Sequence, residues 1–308
     1  MTEGQDAIGR TGHGAEPEVS PLATLITNLA RTRKGFRVSI GTAPSGCRTV
    51  SDILADATIM DAWLSAQAVY TTDLDRKAQA AYLIIDHSSL VAMGVAAPYL
   101  TLRILPEIRP DHVALTFTTG MTTHEGRSVE ETEVALHFLS ERFATDNQEL
   151  QVHPCHTPRG GECLRNTLRS DLEGHFQPVV HLLASLSGLS RSALWRLVAD
   201  QILAVFLEVG RQIGNEEEAR LEALAIIKHP GSPLNNRQTS HFSISVRATD
   251  DPSRILSSRT YRARGGCCRF YTSRTGRYCS TCVHRDPIER NRDLENRLRS
   301  QLRQDGMQ

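Results

Sequence analysis

The chain has 308 residues, of which 40% are hydrophobic, and this is enough to bury one large core or two smaller ones. It carries 35 Lys and Arg against 35 Asp and Glu, so no overall charge attracts nucleic acid or a membrane surface. Residues 1–20 lack the apolar run of about seven residues that a signal peptide needs, and we interpret them as a disordered tail. The apolar stretches 90–102 and 176–190 are shorter than a bilayer span of about 20 residues, so we expect a cytoplasmic protein with no membrane span.

The first hundred residues predict a helical region. Hydrophobic residues at helical spacing begin just after Ser20, which is a suitable N-cap, and an alanine-rich stretch with few charges runs up to Pro98. Because a proline commonly marks the end of a helix, we expect this buried central helix to stop there. The expected elements are a helix over 21–33, a loop over 36–48, a helix over 50–69 and the central helix over 75–98.

The remaining chain predicts further helices and two regions with strands. Gly188 suits the end of one helix and Ser190 the start of the next, so we expect a helical hairpin around them. Pro178 is expected to kink or break the first helix of that hairpin. The expected elements are a strand over 113–118, a helix or amphipathic loop over 129–143, helices over 168–186, 191–213 and 216–227, and paired strands over 241–246 and 257–262.

Four cysteines near the C-terminus are the most informative feature of the sequence: Cys267, Cys268, Cys279 and Cys282. Four thiols within sixteen positions are too concentrated to be packing residues, because a core uses a small buried side chain one site at a time. In a cytoplasmic protein thiols stay reduced, and clustered cysteines favour a metal site over disulfides. The odd total of seven cysteines also argues against a complete disulfide framework.

Two kinds of metal site fit these cysteines. A structural zinc ion typically uses two loops of the C-x-x-C kind, and only Cys279 and Cys282 have that spacing. Cys267 and Cys268 are adjacent, so in extended backbone their side chains point to opposite faces and do not easily reach one ion. A [2Fe–2S] cluster spreads four ligands over two irons, and the preceding Gly265-Gly266 adds backbone freedom. The geometry favours the cluster, with zinc as the open alternative.

The cysteine region resembles a known family. The run Arg264-Gly265-Gly266-Cys267-Cys268, ten residues and then Cys-Ser-Thr-Cys at 279–282 is similar to the C-terminal C-C-x₁₀-C-x₂-C signature of FhuF-type ferric-siderophore reductases. Residues 189–200 resemble the family's helical segment more weakly. The resemblance implies that all four cysteines hold a [2Fe–2S] cluster, and that the protein is a cytosolic one-electron reductase of ferric siderophores. Unlike the family, this chain continues beyond the motif, over 287–308.

Arginines surround the cysteines. Residues 257–290 contain eight arginines and only two acidic residues, a charge balance that favours the reduced, more negative form of a cluster and attracts an anionic ferric chelate. Our candidates for substrate docking are Arg264, Arg269, Arg274 and Arg277. No phosphate-binding glycine motif is present, so we expect electrons from an external donor: a ferredoxin, a reduced flavin or a flavin reductase. No catalytic residue beyond the cluster is predicted.

Three other groups of donor residues have simpler explanations. Residues 153–156 (His-Pro-Cys-His) place three donors in four positions, which converge poorly on one ion, so we expect a loop. His284, two residues after Cys282, is expected to be an exposed neighbour of the site rather than a ligand. Asp86 and His87 lie together within the predicted central helix, and we expect them to form a buried structural pair.

The sequence thus predicts a mainly helical α+β protein with a small C-terminal iron–sulfur subdomain. The expected divisions are the tail 1–20, a mainly helical substrate or scaffold region 21–235, a [2Fe–2S]-binding subdomain 236–286 and a charged extension 287–308. In the extension, leucines at 294, 298 and 302 form a narrow stripe that we expect to pack on the protein's own surface. Two other functions stay open: electron transfer to an acceptor that is not a siderophore, and a non-catalytic binding protein held together by zinc.

Overall fold

The structure is a computed structural model that describes residues 19–69, 73–124, 127–158, 163–304 and 306; nearly all of the predicted tail 1–20 lies outside these ranges. Within them the chain is a mixed α+β protein. Its helices are α1 (Pro21–Thr32), α2 (Val50–Ala55), α3 (Ala57–Ala66), α4 (Arg76–Leu102), α5 (Leu164–Ser187), α6 (Arg191–Gln212), α7 (Glu216–Ile227) and α8 (Pro287–Gln304). Its strands are β1 (Val38–Ile40), β2 (Arg48–Thr49), β3 (Ile104–Pro106), β4 (Val113–His124), β5 (Arg127–Phe138), β6 (Phe143–Thr145), β7 (Ser240–Arg247) and β8 (Ile255–Ala263).

The strands form three small sheets. The largest has the order β1-β5-β4-β2, in which β4 and β5 make a long antiparallel hairpin and β1 lies parallel to β5. The pairs β3–β6 and β7–β8 are each antiparallel. The first two sheets lie beside the helical core, whereas the β7–β8 hairpin leads directly into the cysteines.

Helix α4 is the centre of the core. It packs against α1, α3, α5, α6 and the β1–β5 edge of the large sheet. It is long and apolar enough to cross a membrane by composition alone, but 72% of its most apolar window is buried inside the protein, as expected for a core helix. At Gly94 the helix approaches the sheet closely, since a Cβ atom there would stand 2.7 Å from the Phe138 ring.

Both helix-interior prolines were expected to stop or distort their helices, and neither ends one. Helix α4 continues past Pro98 to Leu102, so the prediction that it ends at the proline was wrong. Arg103, in the left-handed conformation, caps it by donating its N–H to the Pro98 carbonyl. Helix α5 likewise includes Pro178 within its 24 residues and is not broken there. Ala97 and Tyr99 on either side of Pro98 are buried, as is Val179 after Pro178, and that packing outweighs the missing backbone hydrogen bond.

Three other expectations needed correction. The helix predicted over 50–69 is divided into α2 and α3 at Asp56, whose carboxylate caps α3 by accepting hydrogen bonds from the N–H groups of Thr58 and Ile59. The loop predicted over 36–48 contains β1 and ends at β2. The helix or amphipathic loop predicted over 129–143 is mostly strand β5, because its backbone pairs with β4 along its whole length.

The remaining expectations agree with the fold. Ser20 caps α1, and Ser190 caps α6 by accepting a hydrogen bond from the Ala193 N–H. Gly188 has a φ of 70°, as the end of α5 requires. Helix α7 and the β7–β8 pair lie where they were predicted.

The C-terminal extension packs on the protein's own surface, as predicted. Leu294, Leu298 and Leu302 of α8 are buried, and the last two form a small apolar cluster with Val246 of β7. The extension therefore covers one face of the hairpin that carries the cysteine loop.

Candidate metal centre

A buried carboxylate on α6 holds the turn that precedes the cysteines. The Asp200 side chain is fully buried, and its Oδ1 accepts hydrogen bonds from the Gly265 N–H and the Thr239 hydroxyl, both at 2.8 Å. Its Oδ2 accepts a hydrogen bond from the Gly266 N–H at 2.9 Å. Two successive backbone donors thus converge on one carboxylate, which fixes the path of the chain immediately before Cys267.

The two glycines are required for close packing and not for an unusual backbone conformation. Neither Gly265 nor Gly266 has a positive φ angle. A Cβ atom on Gly265 would stand 2.2 Å from the Thr239 hydroxyl, and one on Gly266 would stand 2.6 Å from a methyl group of Leu197. A side chain at Gly265 would clash with the segment before β7 and one at Gly266 would clash with α6, so either would displace the cysteine turn. Their role therefore differs from the backbone freedom inferred from the sequence.

Beyond the turn, all four cysteines have free thiols, and each of them interacts with the next cysteine along the chain. The Cys268 thiol is hydrogen-bonded to Cys279, and electrostatic interactions connect Cys267 with Cys268 and Cys279 with Cys282. This bond from Cys268, together with the positive charge of Arg264, lowers the pKa of Cys279 to about 6, whereas the pKa of Cys268 is raised. A thiolate is thus favoured at Cys279, the form in which cysteine binds metals.

Protein groups donate hydrogen bonds to two of the sulfur atoms. Arg264 donates from Nη1 to the Cys279 Sγ at 3.2 Å, and the Arg269 N–H donates to the Cys267 Sγ at 3.3 Å. Arg264 is buried, and its Nε and Nη2 atoms find no hydrogen-bond partner among the described residues. These unused donors beside the thiols fit an iron–sulfur cluster, whose sulfides accept hydrogen bonds. No three His, Cys, Asp or Glu side chains in the described ranges enclose a single ion position.

The four arginines predicted to dock substrate fall into two groups. The Arg264 side chain is only 8% exposed and lies between Cys279 and Asp200, so it is in contact with the cysteine site and not with solvent. Arg269 is held by an ion pair with Asp75 at 2.8 Å. Arg274 and Arg277 are exposed on the loop between the cysteine pairs, where a molecule arriving from solvent can reach them.

Arg262 adds a second buried guanidinium beneath the cysteine turn. It donates from Nη1 to the Asp200 backbone carbonyl at 2.7 Å, and burial lowers its pKa to about 10. Nothing in the local sequence distinguishes Arg262 from its exposed neighbours. Its register in β8 is the feature that turns it inward towards α6.

An exposed aromatic cluster covers the outer side of the cysteine loops, and the sequence did not predict it. The ring centres of Tyr271 and Tyr278 are 5.4 Å apart, and His284 lies 5.0 Å from Tyr271 and 6.3 Å from Tyr278. All three side chains are exposed. Tyr278 directly precedes Cys279, so the cluster lies at the solvent side of the thiols. His284, as expected, is an exposed neighbour of the site.

The other candidate donors are structural. His153 accepts a hydrogen bond at Nδ1 from the Cys155 N–H, and His156 contacts the Gln151 carbonyl at 2.9 Å, so residues 153–156 form the expected loop. The expected pair of Asp86 with His87 was wrong, because His87 faces the core and its Nε2 lies 2.8 Å from the Nε2 of His175. Asp86 lies on the outer side of α4.

The comparisons with known proteins add no family to this geometry. No protein-family model matches the chain, and no curated protein matches it.

Proposed function

We propose that this protein is a cytosolic ferric-siderophore reductase whose four clustered cysteines, Cys267, Cys268, Cys279 and Cys282, hold a [2Fe–2S] cluster. The observation that carries the proposal is the hydrogen bond between Cys268 and Cys279, which joins the two cysteine pairs, beside two donors directed at sulfur and a buried guanidinium with unused N–H groups. The resemblance of the cysteine spacing to the FhuF signature supports the same function.

When bound, the cluster supplies one-electron transfer, which is what reduction of Fe(III) to Fe(II) requires. The chain's own residues keep the thiols in place and set the local charge. Arg264 donates to Cys279, and Asp200 fixes the turn before Cys267. Because a siderophore binds Fe(III) through hard oxygen donors, reduction weakens the complex without a general acid or a nucleophile from the protein.

The exposed side of the site is where the ferric chelate docks in this proposal. Arg274 and Arg277 offer positive charge, and Tyr271 and Tyr278 offer exposed aromatic faces next to the cysteine loops. Surface charges of this kind raise the rate of encounter with an anionic chelate and lose their effect at high ionic strength. The electron donor is a separate molecule in this scheme.

The test is anaerobic purification followed by iron, sulfide and zinc analysis, a visible spectrum and titration of the reduced protein with ferrioxamine B. We expect two irons and two sulfides per chain, a red-brown colour and reoxidation by the chelate. Cys279→Ser should abolish the visible absorption while the helical circular dichroism is retained. Cys47→Ser, which changes a free thiol far from the site in sequence, is the matched control and should leave the spectrum unchanged.

Two results would contradict the proposal. A colourless protein with one zinc per chain would assign the cysteines to a structural site. A coloured protein that no ferric chelate reoxidises would instead support an iron–sulfur electron carrier with another acceptor.

A further inference from the structure

A cleft between α4, α6 and the segment 33–36 that follows α1 has the features of a small-molecule site. It encloses about 590 Å³, within the usual range for ligand pockets, and side chains of both long helices form its walls. Its apolar surface comes from Phe36, Met93, Ala97, Val205 and Val209. An apolar lining with few polar groups is typical of sites that bind cofactors or substrates.

Two polar side chains in this cleft lack a protein partner. Gln201 is only 9% exposed, lines the cleft and makes no hydrogen bond to any residue that the structure describes. The Ser89 hydroxyl on the facing helix is likewise unpaired within those residues. Neither Gln201 nor Ser89 is among the side chains whose polar atoms are completely enclosed without a partner, so both groups open into the cleft and are accessible to a ligand. A ligand with both a donor and an acceptor along one edge would satisfy the Gln201 amide.

The rim of the cleft is positively charged at one end. Arg33 and Lys34 follow α1 and make no ion pair with any described residue, although Arg33 is hydrogen-bonded to the Gln212 side chain. The only carboxylate lining the described cleft, Glu208, is engaged by Arg211 at 3.4 Å. The two free cations therefore favour an anionic group on the ligand.

The cleft lies close to the cysteine site. Gln201 directly follows Asp200, and it is one helical turn, about 5.4 Å, from Leu197, which contacts the Gly266 turn. On α4, Ser89 lies two turns, about 10 Å, beyond Tyr82. The Tyr82 hydroxyl interacts electrostatically with Cys268 and Cys279. The cleft and the cysteine loops therefore share the same two helices, α4 and α6, as walls.

We propose that this cleft binds reduced flavin mononucleotide as the electron donor. The apolar walls would hold the ring system, Gln201 and Ser89 would pair with its imide edge, and Arg33 with Lys34 would bind the phosphate. The choice of a redox-active ligand rests on the proposed function. One reduced flavin releases two electrons and two protons, each electron reduces one Fe(III) chelate to Fe(II) through the cysteine site, and the protons pass to solvent. The oxidised flavin then exchanges for a reduced one in the same cleft, so the cleft binds both redox forms.

The first experiment measures binding alone. Flavin fluorescence is titrated with the purified, oxidised full-length protein in the absence of any ferric chelate. We expect one FMN per chain with a dissociation constant on the order of micromolar, and riboflavin, which lacks the phosphate, to bind about tenfold more weakly. No binding of FMN at 100-fold higher concentration than this, about 100 μM, would overturn the proposal.

Variants then locate the site. The Arg33→Ala/Lys34→Ala double variant should weaken FMN binding about tenfold and leave riboflavin unchanged, whereas Arg31→Ala, which removes an exposed cation in the last turn of α1, should change neither. Gln201→Leu should weaken both flavins about tenfold. Binding that is insensitive to these substitutions, or dodecanoate that binds more tightly than FMN, would overturn the assignment.

The binding assay also separates this proposal from the reductase proposal. Loss of chelate reduction in the Cys279→Ser protein leaves flavin binding measurable. Conversely, a protein that reduces ferric chelates with dithionite but does not bind FMN would keep the reductase function and refute the flavin site.

Discussion

The anchoring of the cysteine turn by Asp200 gives a prediction with a calculable magnitude. In Asp200→Asn the remaining oxygen can keep the bonds to Gly265 and Thr239, but an NH₂ group then faces the Gly266 N–H, so one hydrogen bond to a charged acceptor is lost and a backbone donor is left unpaired. A hydrogen bond of this kind contributes about 1.5–3 kcal/mol. We therefore expect the turn to open about 30-fold more often, the equivalent of about 2 kcal/mol.

Hydrogen–deuterium exchange of the segment 263–268 measures that opening directly, and iron content per chain measures its effect on the site. We expect Asp200→Asn to exchange this segment about 30-fold faster and to retain less iron. Asp250→Asn, which changes an exposed carboxylate in the β7–β8 connection, is the control and should alter neither quantity. Exchange within threefold of wild type, with full iron content, would show that the carboxylate does not hold the turn.

Two further predictions concern stability. Burial lowers the pKa of His87, and it lowers the pKa of His175 to about 4. Below about pH 6.5 the unfolded chain therefore binds more protons than the folded one, and the protein becomes less stable as the pH decreases. From pH 7.5 to pH 5, His175 should lower the free energy of unfolding by about 2 kcal/mol. In urea denaturation, His175→Gln should remove the share of this pH dependence that His175 contributes, whereas the exposed control His181→Gln should retain the wild-type dependence. An equal pH dependence of stability in the two variants would refute this reasoning. Leu298→Ala should lower the free energy of unfolding by about 2 kcal/mol, because Leu298 is buried. Ile288 is 77% exposed on the same helix, so Ile288→Ala should lower it by less than about 0.5 kcal/mol. Equal effects of the two substitutions would show that α8 does not pack on the protein.

The elements that the sequence predicted correctly are those defined by local signals. Helix α7 begins and ends where its spacing predicts, and Ser190 caps α6, since both depend on residues a few positions apart. The cysteine site was also inferred from a local signal, because its four cysteines are close together along the chain, and its cluster stays a prediction.

The elements that it missed depend on distant partners. Strand β5 was ambiguous by itself, and its conformation is decided by pairing with β4. The Asp200 anchor joins residues 65 positions apart, which spacing alone does not reveal. One signal was present: a carboxylate within the apolar face of α6 must find a partner, because an unpaired buried charge is costly.

The division of the arginines into buried and exposed ones separates two effects that the sequence combined. Arg262 and Arg264 lie beneath the cysteines in contact with Asp200, where solvent and salt screen their charges weakly. On the proposed function, these two set the stability of the reduced site, because a fixed positive charge near the thiolates favours an added electron. Arg274 and Arg277 are exposed, so their charge acts mainly on the encounter with a chelate and is screened by salt. The arginines of this region thus do not act as one positive shell: on the proposed function, the buried pair acts on electron transfer and the exposed pair on substrate association.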